Sequence, residues 1–356
     1  MGNVNTSESN KVTSNASKPL IWVNFGRFKK KSLILLNMLL PEDKKYTNAI
    51  RNLKLRQILT KVILYKLIEE KNLVGHTNYI FCLIKMSEEK LISGSLDKTI
   101  KVWNVSTGDC IQTLEGHQEG VLCLLRLNYK QIMSGSYDRT IKIWNSINGN
   151  CLQTLEGHGS PVTCLTKLNS NQIASGSENC EIRIWDYSIG KCPFKLKSEE
   201  GKASSINCLT KVSDKYFASG SNLIIIWDFK GNEIKSFSSD SLDNTKCIIL
   251  IQENKLAAAT KTCIKIWKIL EAKCILTLNG HIHTIFSLLK MNEHEMLSGS
   301  LDKSIKLWNF TTGQCLFTLD NKINSVKCLV KLNLKQIAVD NKDKSIKIID
   351  LFFEIV

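Results

Sequence analysis

The sequence has little of what a membrane-spanning or secreted protein needs. Its longest apolar run, Leu33–Leu40, is interrupted by Asn37 and followed by Pro41, and it has about half of the roughly 20 residues that a spanning helix requires. The run follows a basic patch, but it begins far from the first residue and no small-residue cleavage site follows it. We therefore expect neither a transmembrane span nor secretion.

Patterns that form disulfides, metal centres or active sites are also missing. The 13 cysteines are odd in number and include no Cys-x-x-Cys pair. Without a secretory signal, a reducing cytoplasmic environment and free thiols are expected. Of the six histidines, four occupy one position of a repeat, and the other two, His283 and His294, lie on different turns and form no ligand or base constellation. We therefore expect no catalytic residue, no metal ligand and no bound cofactor.

The net charge of +15 invites a nucleic-acid interpretation, but the type of cation argues against it. Residues 1–72 carry a net charge of +9 and the remaining residues +6. The chain has 42 Lys and only 6 Arg, whereas recognition of phosphates and bases favours the planar guanidinium. A general bias towards Lys, Asn and Ile explains the charge, and nucleic acid is not an expected partner.

An internal repeat dominates the rest of the chain. Six tryptophans recur at intervals of 40 to 42 residues, and Ile349 continues the series. The tryptophans are Trp103, Trp144, Trp185, Trp227, Trp267 and Trp308. Each unit contains four short β-branched or alternating segments separated by turn residues, which predicts four strands. Because one small sheet cannot bury both of its faces, the seven sheets should stack in a closed ring. This pattern predicts an all-β, seven-bladed propeller.

Two further elements recur at fixed offsets and identify a family resemblance. Segments such as SGSLDKTIKVW (Ser93–Trp103) end at the tryptophan, and Gly-His precedes four of them by about 27 residues. With these elements the sequence resembles the WD-repeat family over about 285 of its 356 residues. The resemblance implies a buried, hydrogen-bonded set in each regular blade, which holds the blade together. The implied members are His76, Ser93, Asp97, Trp103, His117, Ser134, Asp138, Trp144, His158, Ser175, Trp185, His281, Ser298, Asp302 and Trp308.

The His, Ser and Asp residues of these sets could be mistaken for a hydrolase triad. Four histidines occupy the same repeat position, whereas a catalytic group would be expected once. Eleven cysteines also recur at two repeat positions, which is typical of small packing residues. We therefore interpret both groups as structural.

Several units depart from the regular pattern. Blade three has Asn179 at the aspartate position, and blades four, five and seven lack Gly-His. Blades four, five and seven are therefore expected to be less rigid. The insertion at residues 197–205 is either slack or a partner contact, and the sequence leaves both readings open.

The resemblance also implies a partner-binding surface. In this family the narrow top face usually binds partners, through the residue before the turn aspartate and residues just after Gly-His. The corresponding positions are Asn78, Tyr79, Leu96, Glu119, Tyr137, Glu178, His283 and Leu301. Half of them are apolar or aromatic, as in interface hot spots. The alternative is that they pack only against neighbouring loops.

The N-terminal region is predicted to differ from the propeller. Residues 1–31 are expected to be a disordered basic segment, residues 32–65 a helical extension and residues 66–356 the propeller. Gly2 lies in an N-myristoylation pattern, and a basic cluster at residues 27–31 would support membrane attachment. The apolar face of the helix could pack on the propeller, self-associate or meet a membrane.

Ring closure requires an additional strand. Residues 351–356 are too few for a hairpin and an outer strand. The missing outer strand should come from residues 62–74, with the helix ending near Tyr65.

Together these features predict a non-enzymatic scaffold or adaptor that presents the propeller's top face to a peptide or protein. One alternative is a membrane-tethered adaptor, located at a membrane through Gly2 and the basic cluster. Another is a substrate receptor of a ubiquitin ligase, since Leu40-Pro41-Glu42 faintly resembles the opening of an F-box, although no further F-box pattern follows. The expected location is cytoplasmic or membrane-associated, and the oligomeric state is open.

Overall fold

The computed structural model describes residues 70–197, 205–238, 244–320 and 325–351. In these ranges the chain forms 28 strands, arranged in seven four-stranded antiparallel sheets, and no helix. The predicted all-β, seven-bladed architecture is confirmed. The extension predicted at residues 1–65, with its disordered and helical parts, lies outside the described residues, as does most of the insertion at 197–205.

The blades are numbered along the chain, and the strands of each run from the inside of the ring outward. Blade one contains β2 (Ile80–Lys85), β3 (Lys90–Ser95), β4 (Ile100–Asn104) and β5 (Cys110–Leu114). Blade two contains β6 (Val121–Arg126), β7 (Gln131–Ser136), β8 (Ile141–Asn145) and β9 (Cys151–Leu155). Blade three contains β10 (Val162–Lys167), β11 (Gln172–Ser177), β12 (Glu181–Asp186) and β13 (Lys191–Lys197). Blade four contains β14 (Cys208–Lys211), β15 (Tyr216–Gly220), β16 (Leu223–Asp228) and β17 (Glu233–Ser238).

The remaining three blades follow the same order. Blade five contains β18 (Cys247–Gln252), β19 (Lys255–Ala259), β20 (Cys263–Lys268) and β21 (Lys273–Asn279). Blade six contains β22 (Ile285–Lys290), β23 (Glu295–Ser300), β24 (Ile305–Asn309) and β25 (Gln314–Leu319). Blade seven contains β26 (Leu329–Lys331), β27 (Gln336–Asp340), β28 (Ile346–Asp350) and β1 (Glu70–Leu73).

The core lies between the blades. The cluster around Trp144 of blade two includes Ile100 and Val102 of blade one, and each other cluster likewise joins neighbouring sheets. The innermost strands contact one another around the ring, from β2 and β6 through to β26 and β2. Since a blade buries its second face only against its neighbours, closure of the ring completes the core.

Small residues permit this close approach. A Cβ atom added at Gly94 of β3 would lie 2.7 Å from Cys82 Sγ of the same blade and 2.7 Å from Val121 Cγ1 of the next blade. Such contacts are shorter than atoms tolerate, so only glycine fits without displacement of the neighbouring blade. This explains the glycine in the repeated Ser-Gly-Ser segment.

The first strand closes the ring. β1 pairs with β28 in antiparallel register, with Glu70 opposite Ile349 and Leu73 opposite Ile346. The prediction that residues 62–74 supply the missing outer strand is confirmed. The Lys71 ammonium also donates to the carbonyl oxygens of Val105 (3.3 Å) and Ser106 in blade one. The strand is therefore attached to both the last blade and the first.

Candidate functional site

Two sets of loops meet on one face of the ring, which we call the top face. They are the loops that enter each innermost strand and the turns between the second and third strands. In blade one, the Leu96 amide donates to the Tyr79 carbonyl (2.9 Å) and the Ser95 hydroxyl donates to the Asn78 carbonyl (3.0 Å). Both kinds of loop are thereby fixed to each other.

The same pairing recurs in other regular blades. In blade two the Tyr137 amide donates to the Gly120 carbonyl (2.9 Å) and Ser136 donates to the Glu119 carbonyl (3.0 Å). In blade six the Ser300 hydroxyl donates to the His283 carbonyl (3.0 Å), and the Leu301 amide donates to Thr284 (2.9 Å). The structure thus brings together, blade by blade, residues that the sequence placed in two separate motifs.

The turn aspartate organises each of these regular turns. In blade one, Asp97 Oδ1 accepts from the Thr99 amide (3.0 Å) and the Thr99 hydroxyl (2.6 Å), while Oδ2 accepts from the Thr77 amide (3.0 Å). The next residue, Lys98, has a left-handed φ of 71°. The carboxylate supplies hydrogen bonds that hold this less favourable backbone conformation.

A buried chain of hydrogen bonds runs below the turn. The Trp103 indole N–H donates to Ser93 Oγ (2.8 Å), which lies 2.7 Å from His76 Nε2, and His76 Nδ1 lies 2.7 Å from Asp97 Oδ2. One tautomer satisfies all these contacts, with Nδ1–H donating to Asp97 and Nε2 accepting from the serine hydroxyl. Blades two and six hold equivalent sets, with distances of 2.6 to 2.8 Å, formed by His117, Ser134, Asp138 and Trp144 and by His281, Ser298, Asp302 and Trp308.

The surroundings of these sets favour a structural role. Ser93 is fully buried and its oxygen is shared between His76 and Trp103. A substrate therefore cannot reach the hydroxyl in this structure. Burial alone would raise the pKa of Asp97, but hydrogen bonds from His76 and Thr99 outweigh it and hold that pKa well below its usual range.

Blade three shows the consequence of losing the aspartate. His158 Nε2 lies 2.6 Å from Ser175 Oγ, which also accepts from Trp185 (2.8 Å). His158 Nδ1 is buried and has no hydrogen-bond partner among the described residues. Asn179 accepts instead from Ser177 (2.6 Å). Burial, assisted by the positive charge of Arg183, lowers the pKa of His158 to about 4.

Blades four and five lose further members of the set. In blade four the Trp227 indole still donates to Ser219 Oγ (2.8 Å), with no histidine in the set. In blade five Ala258 occupies the serine position, and the buried Trp267 indole N–H has no partner among the described residues. Its ring instead packs beside Phe237, with the ring centroids 5.0 Å apart.

Blade seven departs most. Val339 and Ile349 replace the serine and the tryptophan, and Asp340 occupies the position that is glycine in regular blades. Asp340 Oδ1 accepts from the amides of Lys327 (2.7 Å) and Cys328 (2.8 Å). Burial raises the pKa of Asp340 to about 6. The carboxylate therefore accepts hydrogen bonds from backbone amides just before β26, which is only three residues long.

The predicted top-face residues differ in exposure. Tyr79 and Tyr137 are 41% and 38% exposed. Glu119, Glu178 and His283 are exposed, whereas Asn78, Leu96 and Leu301 are half-buried.

The half-buried Leu96 joins two blades. A Cβ atom added at Gly120 would lie 2.5 Å from Leu96 Cδ2 and 3.4 Å from Tyr137 Cδ2. Leu96 of blade one and Tyr137 of blade two therefore pack over the same glycine. The Lys98 ammonium also lies 3.4 Å from the Glu119 carboxylate across the same boundary.

The sequence interpretation missed two top-face residues. Ile282, directly after His281, is 85% exposed. The sequence alone could have indicated Ile282, because the equivalent position in other blades holds Thr77, Gln118 or Gly159. Lys327 was not detectable from its repeat position. Its ammonium lies 5.6 Å from the Tyr79 ring centroid and 4.1 Å from that of Phe81, on the neighbouring blade. Tyr79 and Lys327 also line a cavity of about 130 Å³ with Asp340 and Lys342.

The cysteines occupy two environments. All thirteen are free thiols. In the innermost strands Cys123, Cys164 and Cys208 are buried and the others half-buried, and burial raises the pKa of Cys164 to about 12. In the outermost strands Cys110, Cys151 and Cys315 are exposed and the other two half-buried. Across the described ranges, no group of His, Cys, Asp or Glu side chains is arranged to hold a metal ion.

The geometry and the comparisons with known proteins agree on the class. The family model "WD domain, G-beta repeat" matches residues 68–104, 108–145, 149–186 and 272–309. The chain therefore contains WD repeats in four places and folds as a seven-bladed β-propeller. The matched stretches include the regular third strands of blades one, two, three and six, and they leave out those of blades four, five and seven.

Individual relatives share only short stretches. The chain is 48% identical over 42 residues to the probable E3 ubiquitin ligase complex SCF subunit scon-2 of Neurospora crassa, which is 12% of this chain and 6% of that protein. It is 45% identical over 42 residues to the ribosome biogenesis protein BOP1 homolog of Drosophila melanogaster, 12% of this chain and 5% of that protein. The match thus spans about one-twentieth of these relatives.

A solved structure supports the fold. The crystal structure of the WD40 beta propeller domain of Doa1 superposes with a TM-score of 0.68 at 19% identity, over 79% of this chain and 95% of that one. At this identity the likeness shows the fold alone. None of the described residues forms a helix that could cross a bilayer.

Proposed function

We propose that this protein is a non-enzymatic scaffold or adaptor whose propeller binds a peptide or protein partner on its top face. The observation that carries the proposal is that exposed Tyr137 and half-buried Leu96 pack over Gly120 between two adjacent blades, with exposed Tyr79 bonded to Leu96 through the backbone. Tyrosines that are anchored at the base and open at the tip bury much area at a low cost in conformational entropy.

Rigidity of the loops supports the same proposal. Tyr79 and Leu96 are joined by a backbone hydrogen bond (2.9 Å), and Asp97 fixes the turn that follows. A partner that binds preformed loops loses less ordering entropy on association than one that must organise them. The top face of blades one and two is therefore suited to specific recognition.

The repeated Ser-His-Asp sets support a non-enzymatic role. The same arrangement occurs in blades one, two and six, with the serine fully buried each time. A group that recurs in this way and contacts its own tryptophan is accounted for by stability.

We further propose a cytoplasmic location for the scaffold. The Gly2 pattern and the basic cluster at residues 27–31 favour a membrane-tethered adaptor as the alternative. Mass measurement of the N-terminal peptide from native cells tests it, because a myristoyl group on Gly2 supports the tether and an unmodified Gly2 removes it. A ubiquitin-ligase receptor role would require binding of a cullin adaptor by residues 32–71.

The test of the main proposal replaces both tyrosines. Tyr79→Ala with Tyr137→Ala should reduce recovery of native-cell partners more than tenfold, since hot-spot aromatics contribute about 2 kcal/mol or more each. Quantitative mass spectrometry of affinity-purified full-length protein measures the loss. The matched control is Leu334→Ser, an exposed apolar residue of blade seven on the other face. Undiminished recovery by the double variant, with an unchanged melting curve, would refute the assignment.

A further inference from the structure

A ring of cations surrounds the end of the propeller opposite the top face. The last residue of the innermost strand, or its equivalent, is basic in six of the seven blades, and blade five has Leu250 there. The six cations are Lys85, Arg126, Lys167, Lys211, Lys290 and Lys331. We call this face, formed by the turns between first and second strands and between third and fourth strands, the bottom face.

Five of these cations fall into two groups, while Arg126 donates to the Asn128 carbonyl of its own turn (3.4 Å). Lys85, Lys211 and Lys290 form ion pairs with carboxylates three residues later, at 2.7, 2.8 and 3.0 Å. Lys167 and Lys331 instead donate to backbone carbonyls of the preceding blade, at 2.7 and 2.6 Å. Among the described residues, no carboxylate lies within ion-pair distance of Lys167 or Lys331.

The difference arises at the tip of the turn between the first two strands. Blades one, four, five and six have an acidic residue there, whereas blades two, three and seven have Tyr129, Ser170 and Leu334. Of these three blades, two and three are neighbours. Blade two carries Arg126 and Lys130 around Tyr129, with the Lys130 ammonium 5.1 Å from the ring centroid. Blades two and three are thus two adjacent blades whose first turn carries basic residues and no carboxylate.

Exposed apolar side chains lie among these cations. Tyr129 is 70% exposed, and Ile147 and Ile189, in the turns between third and fourth strands of blades two and three, are 59% and 62% exposed. Large apolar side chains at this exposure on neighbouring turns are typical of interaction surfaces.

Hydrogen bonds hold these turns together. The Ser146 amide donates to the Lys130 carbonyl (2.8 Å), which joins the two turns of blade two. The Lys167 ammonium donates to the Leu127 carbonyl (2.7 Å), which joins blade three to blade two. The surface is therefore built on a rigid frame that spans both blades.

We propose that the bottom face of blades two and three is a second docking surface, and that its partner is an acidic peptide segment with interspersed aromatic or aliphatic side chains. Charge complementarity selects the acidic residues, which meet Arg126, Lys130 and Lys167. Tyr129, Ile147 and Ile189 bind the apolar side chains. Because this surface lies opposite the top face, the scaffold holds two partners at once.

The test uses a random 12-residue peptide library displayed on phage and selected against the full-length chain. Selected peptides should be enriched in Asp and Glu next to Phe, Leu or Ile, and should bind more weakly as salt rises. Arg126→Glu with Lys167→Glu should weaken binding of the synthesised peptides at least tenfold, and Tyr129→Ser at least fivefold.

The matched control is Lys211→Glu with Lys290→Glu, which changes the net charge equally at the same repeat position in blades four and six. This control pair should alter the affinity for the selected peptides less than twofold at physiological salt. Tyr79→Ala with Tyr137→Ala should leave that peptide affinity unchanged. If loss of the Lys167 hydrogen bond lowers the melting temperature, Arg126→Glu with Lys130→Glu provides the same test at exposed positions.

Several outcomes would overturn the proposal. One is a selection without acidic enrichment, and another is equal weakening by both charge-reversed pairs. In a third outcome, analytical ultracentrifugation shows that the chain self-associates and that Tyr129→Ser abolishes the association. That result would assign the surface to a second copy of the chain. If phosphatidylserine vesicles bind the protein, if this binding needs Arg126 and Lys167, and if the library yields no binding peptides, the surface is assigned to a lipid membrane. A failure of the top-face experiment leaves each of these readouts unaffected.

Discussion

Blades one and five contain the same buried tryptophan in different polar surroundings. Trp103 donates to Ser93 and belongs to a complete His-Ser-Asp set, whereas the Trp267 indole N–H, beside Ala258, has no partner within the described part of the chain. Both side chains are nevertheless almost fully buried. Removing a buried Trp side chain costs about 3–5 kcal/mol, and an unsatisfied donor costs about 1–3 kcal/mol. Packing between blades therefore buries the tryptophan even without the hydrogen-bonded set, and the set has a second role besides stability.

That role is to fix the top-face turns. In blade one, Asp97 connects the buried His76 with the amides of Thr77 and Thr99 at the surface. In blade five the corresponding turn is one residue shorter and has no aspartate. Blades with the complete set thus support fixed loops, and the Tyr79–Leu96 pair lies on such a blade.

The largest expected effect comes from removing the strand on which all blades depend. Deletion of residues 1–74 eliminates β1 and should prevent cooperative folding, because blade seven then loses its outer strand and the Lys71 contacts with blade one. Deletion of residues 1–69 retains β1 and is the control. Circular dichroism during heating compares them, and a cooperative transition in the shorter fragment would refute closure by β1.

Loss of one serine hydroxyl should separate complete from incomplete sets. Ser93→Ala leaves both the Trp103 indole and His76 Nε2 without their partner and should cost about 2–5 kcal/mol. Ser219→Ala in blade four affects only Trp227 and should cost about 1–2 kcal/mol. Urea unfolding of the two variants measures the difference. Equal losses would contradict a role for the histidine in the set.

The pH dependence of stability should distinguish blade three. The pKa of His158 is about 4 in the folded chain against an ordinary value of 6.5. Below pH 6.5 the unfolded chain binds a proton that the folded chain does not, so stability falls as pH falls towards 4. The expected contribution is about 1.4 kcal/mol per pH unit, or about 3 kcal/mol over the whole range.

A variant isolates this contribution from other groups. The lowered pKa of His281 acts in the same direction, whereas the raised pKa of Asp340, about 6, acts oppositely between pH 3.8 and 6. His158→Gln should reduce the slope between pH 4.5 and 6 by about 1.4 kcal/mol per pH unit. Urea unfolding at several pH values measures it, and an unchanged slope would show that His158 titrates normally.

The smallest expected effect is a gain in stability. Ala258→Ser in blade five places a hydroxyl at the position that accepts the indole N–H in blades one to four and six. It should stabilise the chain by about 1 kcal/mol. The same substitution at Ala257, the neighbouring buried residue of β19, adds an unpaired hydroxyl and should destabilise. Thermal unfolding compares the pair, and a loss at both positions would show that the hydroxyl does not reach Trp267.

The sequence allowed prediction of the features that recur from one blade to the next. The spacing of Trp103 and its counterparts gave seven blades, and the lack of room after Asp350 correctly placed the closing strand before Gly75. The predicted set members in blade one are in contact in the structure. Local register is the same in each regular blade, so a position in the repeat defines a place in the sheet.

Contacts between blades could not be predicted in this way. The stacking of Lys327 on Phe81, the packing of Phe237 beside Trp267 and the insertion of Asp340 at a glycine position all depend on how neighbouring sheets meet. Such contacts join residues that are distant in sequence and do not recur. The expected lower rigidity of blades four, five and seven stays a prediction.

The pairing of β1 with β28 also has a consequence for synthesis of the protein on the ribosome. β1 leaves the ribosome before any other described strand, whereas its partner residues 346–349 belong to the last described strand, β28. The nascent chain must therefore carry an unpaired β1 while blades one to six form, and contacts of such long sequence separation form slowly. A premature stop just before Ile346 would release six complete blades that cannot close.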